Sequence, residues 1–133
     1  MNWKLLFLLS LISIVMAIAE VFGLPQMLDS IFWPIILLFD AFMIARGTTE
    51  KRFLNGFMVC IFNCVWITLI HAAMFDTFAK NNPDVMSSFS NPSMDPHVMM
   101  FLVGPMIGII TGLITGTITW IMGKFVKPQT QAA

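Results

Sequence analysis

The stretch from Val98 to Met122, VMMFLVGPMIGIITGLITGTITWIM, runs for 25 residues without a charge. A helix crosses a bilayer with about 20 predominantly apolar residues, so this one segment already points to a membrane-spanning, all-α design. Within it Gly104, Gly108, Gly112 and Gly116 recur every four residues. On a helix they form one slowly drifting stripe, with Thr111, Thr115 and Thr119 beside it. Lipid removes the hydrophobic drive between helices, and small residues at this spacing let a second backbone approach closely instead. The stretch is therefore expected to be the spine against which the other spans pack, through Gly104, Gly108, Gly112, Gly116, Thr111 and Thr115.

The rest of the chain is built to match. Of 133 residues 58% are hydrophobic and 11% charged, where soluble domains carry about 25% charged. Seven acids balance seven bases, which leaves no basic face for nucleic acid. Membrane lipid is the expected surrounding. At this length a single integral membrane domain, 1–133, is expected. Apolar runs predict a four-helix transmembrane bundle with spans at about 5–24, 30–45, 53–78 and 96–123. Ala17-Ile18-Ala19 has the small-x-small pattern of a signal-peptide cleavage site. The apolar character continues through Val21, Phe22 and Leu24, however, and the segment reads as the first span. Gly23 and Pro25 mark a tight turn, after which Asp29 or Ser30 can cap the second span. Pro34 is expected near that span's start. Thr48 or Thr49 is expected to cap the third span. Residues 79–95, rich in Asn, Pro and Ser, read as an irregular outer loop whose Val85, Met86, Phe89 and Met94 lie on the membrane face. Asp95 followed by Pro96 is an acid N-cap with proline at the first helical position. The tail at 128–133 reads as disordered.

With four spans, Lys4, Arg46, Lys51, Arg52, Lys124 and Lys127 share one side, and Lys80 alone takes the other. Cytoplasmic loops concentrate Lys and Arg. The distribution predicts both termini in the cytoplasm of a multi-pass protein of the cell (inner) membrane.

The spans hold Glu20, Asp40, His71 and Asp76, and ionisable groups at membrane depth are functional candidates by default. At ~1.5 Å per residue, Glu20 lies roughly 6 Å and His71 roughly 10 Å below the outer surface, so the two could meet. Asp40 falls about 9 Å from the inner surface, near the level of Ser10, Ser13, Thr115 and Thr119, whose hydroxyls are its expected partners. Gly56, Cys60, Asn63, Cys64 and His71 share one face of the third span. That face should point into the bundle, with Met58, Phe62, Val65 and Leu69 turned to lipid. Asp76 falls near the opposite face, on the loop side. Cys60 and Cys64, four apart, would sit roughly 5–6 Å apart at Cβ, too far for a relaxed disulfide, which wants about 3.8 Å. They read as small buried residues. Met94, His97, Met99 and Met100 bring Cu(I)-type ligands together, yet methionine is an ordinary filler of apolar helices. No metal and no cofactor is expected. No Gly-rich phosphate loop, zinc-ligand spacing or catalytic triad is present, so no enzyme activity and no catalytic residue is expected.

Two family likenesses accompany these features. RFLNGF entering the third span, FDTFAKNNPD leaving it and GPMIGIITGLITG in the fourth resemble uncharacterised small four-span bacterial membrane proteins grouped as a domain of unknown function. That likeness implies a four-span fold and no activity. MAIAEVFG around Glu20 is similar to the surroundings of the essential first-span glutamate in small multidrug resistance transporters, which are four-span proton exchangers. That likeness implies proton coupling at Glu20. Two function classes follow. In one, the protein acts by helix–helix association, as a homo-oligomer or as a subunit with another membrane protein. In the other, it is a small proton-coupled transporter using Glu20 with Asp40 or His71, these three being the candidate proton- or ion-coupling residues. A water-accessible cavity reaching Glu20 or Asp40 would favour the transporter. A fully packed bundle with lipid-facing glycines would favour association.

Overall fold

The computed structural model describes residues 1–89 and 94–127. Positions 90–93 of the expected loop and the tail at 128–133, expected to be disordered, lie outside the described residues. The described chain is all-helical: α1 Trp3–Val21, α2 Gln26–Gly47, α3 Arg52–Ala73, α4 Phe75–Asn81, α5 Pro83–Ser88 and α6 Pro96–Phe125. Four of these, α1, α2, α3 and α6, are long and apolar enough to cross a membrane. No more than 33% of the most apolar window of any of them is buried. Phe7, Val15, Ile35, Met106, Ile110 and Leu113 are among the large side chains left uncovered around the outside. Water would not tolerate so continuous an apolar belt, and a bilayer requires one.

Local chemistry sets the helix ends, and in several places differently from the expectation. Asn2 caps α1, its Oδ1 accepting from Leu5 N at 3.2 Å. At the other end Gly23 takes φ +88°. Its N–H donates to Glu20 O at 3.0 Å and that of Leu24 to Ala19 O at 3.0 Å. This is the paired closure that a left-handed glycine after a helix permits. The next helix begins at Gln26, with Pro25 at the cap. It is thus longer than the expected 30–45, and Asp29 falls in its first turn rather than capping it. Pro34 consequently lies inside α2, not near its start. The cap of α3 is Lys51, at φ 51°, while Thr48 closes α2. Asn55 supports this corner by donating from Nδ2 to Lys51 O at 3.0 Å. Asp95 caps α6 as expected, accepting from His97 N at 2.8 Å, with Pro96 at the first helical position.

The third expected span breaks at Met74, and its last residues form α4. Part of the expected irregular loop is α5. Val85 and Met86 do not lie on a membrane face. They pack with Phe75 around a buried cluster of Val21, Phe78 and Met100, because α4 and α5 fold back over the bundle instead of spreading away from it. Asp76, in the first turn of α4, is exposed.

In the bundle α3 is the hub, with α1 on one flank and α6 on the other. The chain alternates direction, so the N-terminus, the α2–α3 connection and the end of α6 share one end of the bundle, here the terminal end. The Gly23–Pro25 turn, α4, α5 and the start of α6 form the other, the turn end. Met58 and Phe62 were expected to face lipid. They pack instead on the cluster of Leu6, Leu9, Ile44, Val59 and Cys60, since a hub helix has two covered faces. Val65 and Leu69 do face outward, 47% and 49% exposed.

The glycines of α6 set its approach to α3. A Cβ placed on Gly116 would stand 2.8 Å from Phe53 O, and one on Gly112 3.1 Å from Phe57 O. One on Gly108 would meet Cys64 Sγ at 2.9 Å, and one on Gly104 would collide with the Thr68 hydroxyl. Gly56 answers from α3, where a Cβ would come within 3.0 Å of Gly116 Cα. Thr115 is fully buried and Thr111 is partly covered beside this seam.

Candidate functional site

The turn that ends α1 also fixes Glu20, which sits on its last turn. Carbonyls at a helix end are short of intrahelical partners, and here Asn81 at the end of α4 and Asn82 just after it supply further donors. Asn82 Nδ2 donates to Glu20 O at 2.9 Å and Asn81 Nδ2 to Val21 O at 3.0 Å. With its backbone held from above, the Glu20 side chain turns inward. His71 Nε2 lies 2.9 Å from Glu20 Oε2, with side-chain exposures of 10% and 13%. Trp33 Nε1, from α2, donates to Glu20 Oε1 at 2.9 Å. Asp29 stands within reach of the same carboxylate from the first turn of α2. The His71 ring stacks on Phe78, centroids 4.2 Å apart, so α4 fixes the imidazole as well.

The structure therefore brings Glu20 and His71 together. Three of their companions have a local reading that hides this role: Asp29 has the residue type of a helix cap, and Asn81 and Asn82 belong to the Asn-rich stretch expected as a loop. For Trp33 the signal is that an indole N–H in an apolar helix needs an acceptor.

Asp40 is elsewhere, nearer the terminal end and fully buried. Of the four hydroxyls expected to hold it, none does: the Thr115 hydroxyl is buried without a hydrogen-bond partner, and the other three serve their own helices. Ser10 donates to Phe7 O at 2.8 Å, Ser13 to Ser10 O at 2.5 Å and Thr119 to Thr115 O at 2.7 Å. Ser and Thr inside helices have such a carbonyl always at hand. The partner of Asp40 is Asn63 on α3, whose Nδ2 donates to Asp40 Oδ2 at 3.3 Å. The two cysteines are free.

A cavity of about 550 Å³ joins these elements. At the turn end it is bordered by Glu20, Asp29 and Asp84, with exposed Pro25 and Gln26 at its mouth. Trp33, Phe78, Phe89 and Ile67 form part of its apolar wall, and it reaches Cys60 and Asn63 at depth. Among the described residues no Lys or Arg lines it. Its size suits a small organic molecule, and carboxyl groups of Glu20, Asp29 and Asp84 along its lining suit a positive charge.

The methionine–histidine group at the start of α6 is put to structural use. The His97 ring tilts over Phe75 at 3.7 Å between centroids, and Met100 is 5% exposed in the Val21–Phe78 cluster. Among the described residues no three His, Cys, Asp or Glu side chains converge as a metal site would require.

No family model matches this chain, and no curated protein or solved structure matches it. Fold and site together define a class: an all-helical protein with four helices of membrane-spanning length and an acid–histidine pair set in a cavity at one end of the bundle.

Proposed function

We propose that the protein is a small polytopic membrane protein that binds a positively charged organic solute in this cavity and exchanges it for protons, with Glu20 as the exchanging group and His71 as its partner. The observation that carries the reading is the cavity itself, which reaches the Glu20–His71 pair and has carboxyl groups but no fixed cation among its described lining. A carboxylate in so enclosed a place needs a counter-charge or a proton. A cationic solute and a proton then compete for one group, which couples their movements. Trp33 and Phe78 add aromatic surface of the kind that holds ammonium groups. The reading requires no catalysis and no cofactor. Association through the glycine stripe has less support, since the stripe is spent within the chain against α3. Orientation follows from the bases: both termini in the cytoplasm of the inner membrane, with the cavity mouth on the opposite face.

The test uses purified full-length protein and tetrabutylammonium, with its uncharged isostere tetrabutylmethane as control. Tetrabutylammonium should bind with release of protons, the isostere should not, and Glu20→Gln should bind it about tenfold more weakly or worse and lose the proton release while keeping its helical content. Equal behaviour of wild type and Glu20→Gln would overturn the reading. Orientation is checked in a variant with both native cysteines replaced by alanine. An impermeant thiol reagent applied to cells should label a cysteine at Ser88 and spare one at Thr49; the reverse pattern would invert the topology.

A further inference from the structure

Asp40 is a charge-bearing group that the cavity reading leaves unused. It is 0% exposed and lies on α2 about 10 Å from the helix end at Gly47, at ~1.5 Å per residue. Its Oδ2 accepts from Asn63 Nδ2 at 3.3 Å, and its Oδ1 has no partner. Asn63 is itself 2% exposed. Its Oδ1 is also without a partner, and the residue lines the deep end of the cavity. One amide thus separates a sealed carboxyl group from a space that opens at the turn end.

The helices packed against α2 bring it no counter-charge. From α3, Cys60 is the titratable group in the field of Asp40, and Cys64 lies a turn beyond it. From α6, Thr111 and Thr115 border Cys60. The charged and titratable side chains of these helices are Lys4 and Glu20 on α1, Arg52, Cys60, Cys64 and His71 on α3, and His97 and Lys124 on α6. Among the described residues no ion pair reaches Asp40.

We propose that Asp40 and Asn63 form a second proton-binding site, distinct from Glu20 and His71, with the Asn63 amide as the relay between the carboxyl group and the cavity. In the charged form Asn63 Nδ2 donates to Asp40 Oδ2, which is the arrangement observed. When Asp40 takes up a proton the new O–H needs an acceptor. A half-turn of the amide, whose two ends are nearly equal in size, presents Oδ1 to that O–H and Nδ2 to the cavity. The proton comes from a hydronium ion of the solution that reaches the cavity: one of its O–H bonds breaks as the O–H bond at Asp40 forms, leaving water, and the reverse transfer returns it. The buried, unpartnered Asn63 Oδ1 is the acceptor this exchange calls for, because leaving such groups unmet in both forms is costly. The inference does not depend on which solute, if any, the cavity takes.

Infrared difference spectroscopy of the full-length protein in lipid nanodiscs, across a pH titration, tests it. A carboxylic-acid carbonyl band should appear as pH falls. It should shift when aspartate alone is carbon-13 labelled, a measurement that needs no variant. Asp29, Asp76, Asp84 and Asp95 add bands of their own, so the signal read is the difference between wild type and Asp40→Asn: one aspartate component present in wild type and in Glu20→Gln and missing from Asp40→Asn. Asn63→Ala, checked for native helix content, should slow that component's exchange shift in heavy water. Identical spectra of wild type and Asp40→Asn, or unchanged exchange in Asn63→Ala, would each overturn the proposal. So would a band that depends on sodium rather than choline as the bulk cation, since that would make the site a metal-cation site. Tetrabutylammonium binding reads Glu20 alone, so failure of the cavity reading and failure of this one are separately visible.

Discussion

The two ends of this bundle solve opposite problems with the same helices. At the terminal end α6 lies so close to α3 that Gly116 and Phe53 leave no room for a methyl group, and Arg52 reaches across to donate to Gly123 O. Toward the turn end Gly104 and Gly108 meet side chains of α3, Thr68 and Cys64, rather than its backbone, and the cavity opens beside them. Pro34 and Pro105 both fall in the cavity-lining halves of α2 and α6, where each removes a backbone hydrogen bond from its helix. Close backbone approach gives rigidity and excludes solvent. Spaced helices with side-chain bridges leave room for a ligand. The difference places fold stability at one end and candidate chemistry at the other.

The strongest way to break that comparison is at Gly116. Gly116→Leu must displace backbone, and overpacking of this kind costs about 1–3 kcal/mol. Gly104→Ala meets only the hydroxyl end of Thr68, which can rotate, and should lower the melting temperature in detergent far less. Equal losses would show that both ends are packed alike. Next in size, Glu20→Gln should weaken tetrabutylammonium binding about tenfold or more, ~1.4 kcal/mol, with little change in melting temperature, which would place binding and stability at separate ends. Trp33→Phe removes one hydrogen bond to Glu20 and should cost about 1 kcal/mol of stability, read in the same melts; no change would mean that the indole does not hold the carboxylate. The smallest effect is expected at Asp95→Ala, read as faster amide exchange confined to the first turn of α6. The backbone N–H of His97 holds the exposed Asp95 carboxylate below its usual range. A lowered value means that the cap's contribution is present above the ordinary carboxylate range and fades as pH falls through the lowered one. The variant should therefore differ from wild type at neutral pH and converge with it in strong acid.

Much of the architecture is local, and so was legible. Long apolar runs at α1, α2, α3 and α6, the last without a charge from Val98 to Met122, announce membrane-length helices because bilayer thickness sets a length and lipid forbids unpaired backbone. Asp95-Pro96 marks the start of α6 because cap and first-turn chemistry involve only neighbours in sequence. Even the meeting of Glu20 with His71 could be expected from depth alone, since antiparallel helices of known rise place residues at computable levels. What the tertiary structure decided is which way side chains turn about their helix axes and which competitor wins. Ser10, Ser13 and Thr119 stood at the right level for Asp40, but each has a carbonyl of its own helix within reach, so Asn63 took the contact. Met58 and Phe62 lie on an apolar face that lipid or a neighbouring helix would cover equally well; only the placing of α1 beside α3 settled which. The cavity belongs wholly to this second kind. It is space left between six helices, and a space has no residue pattern of its own.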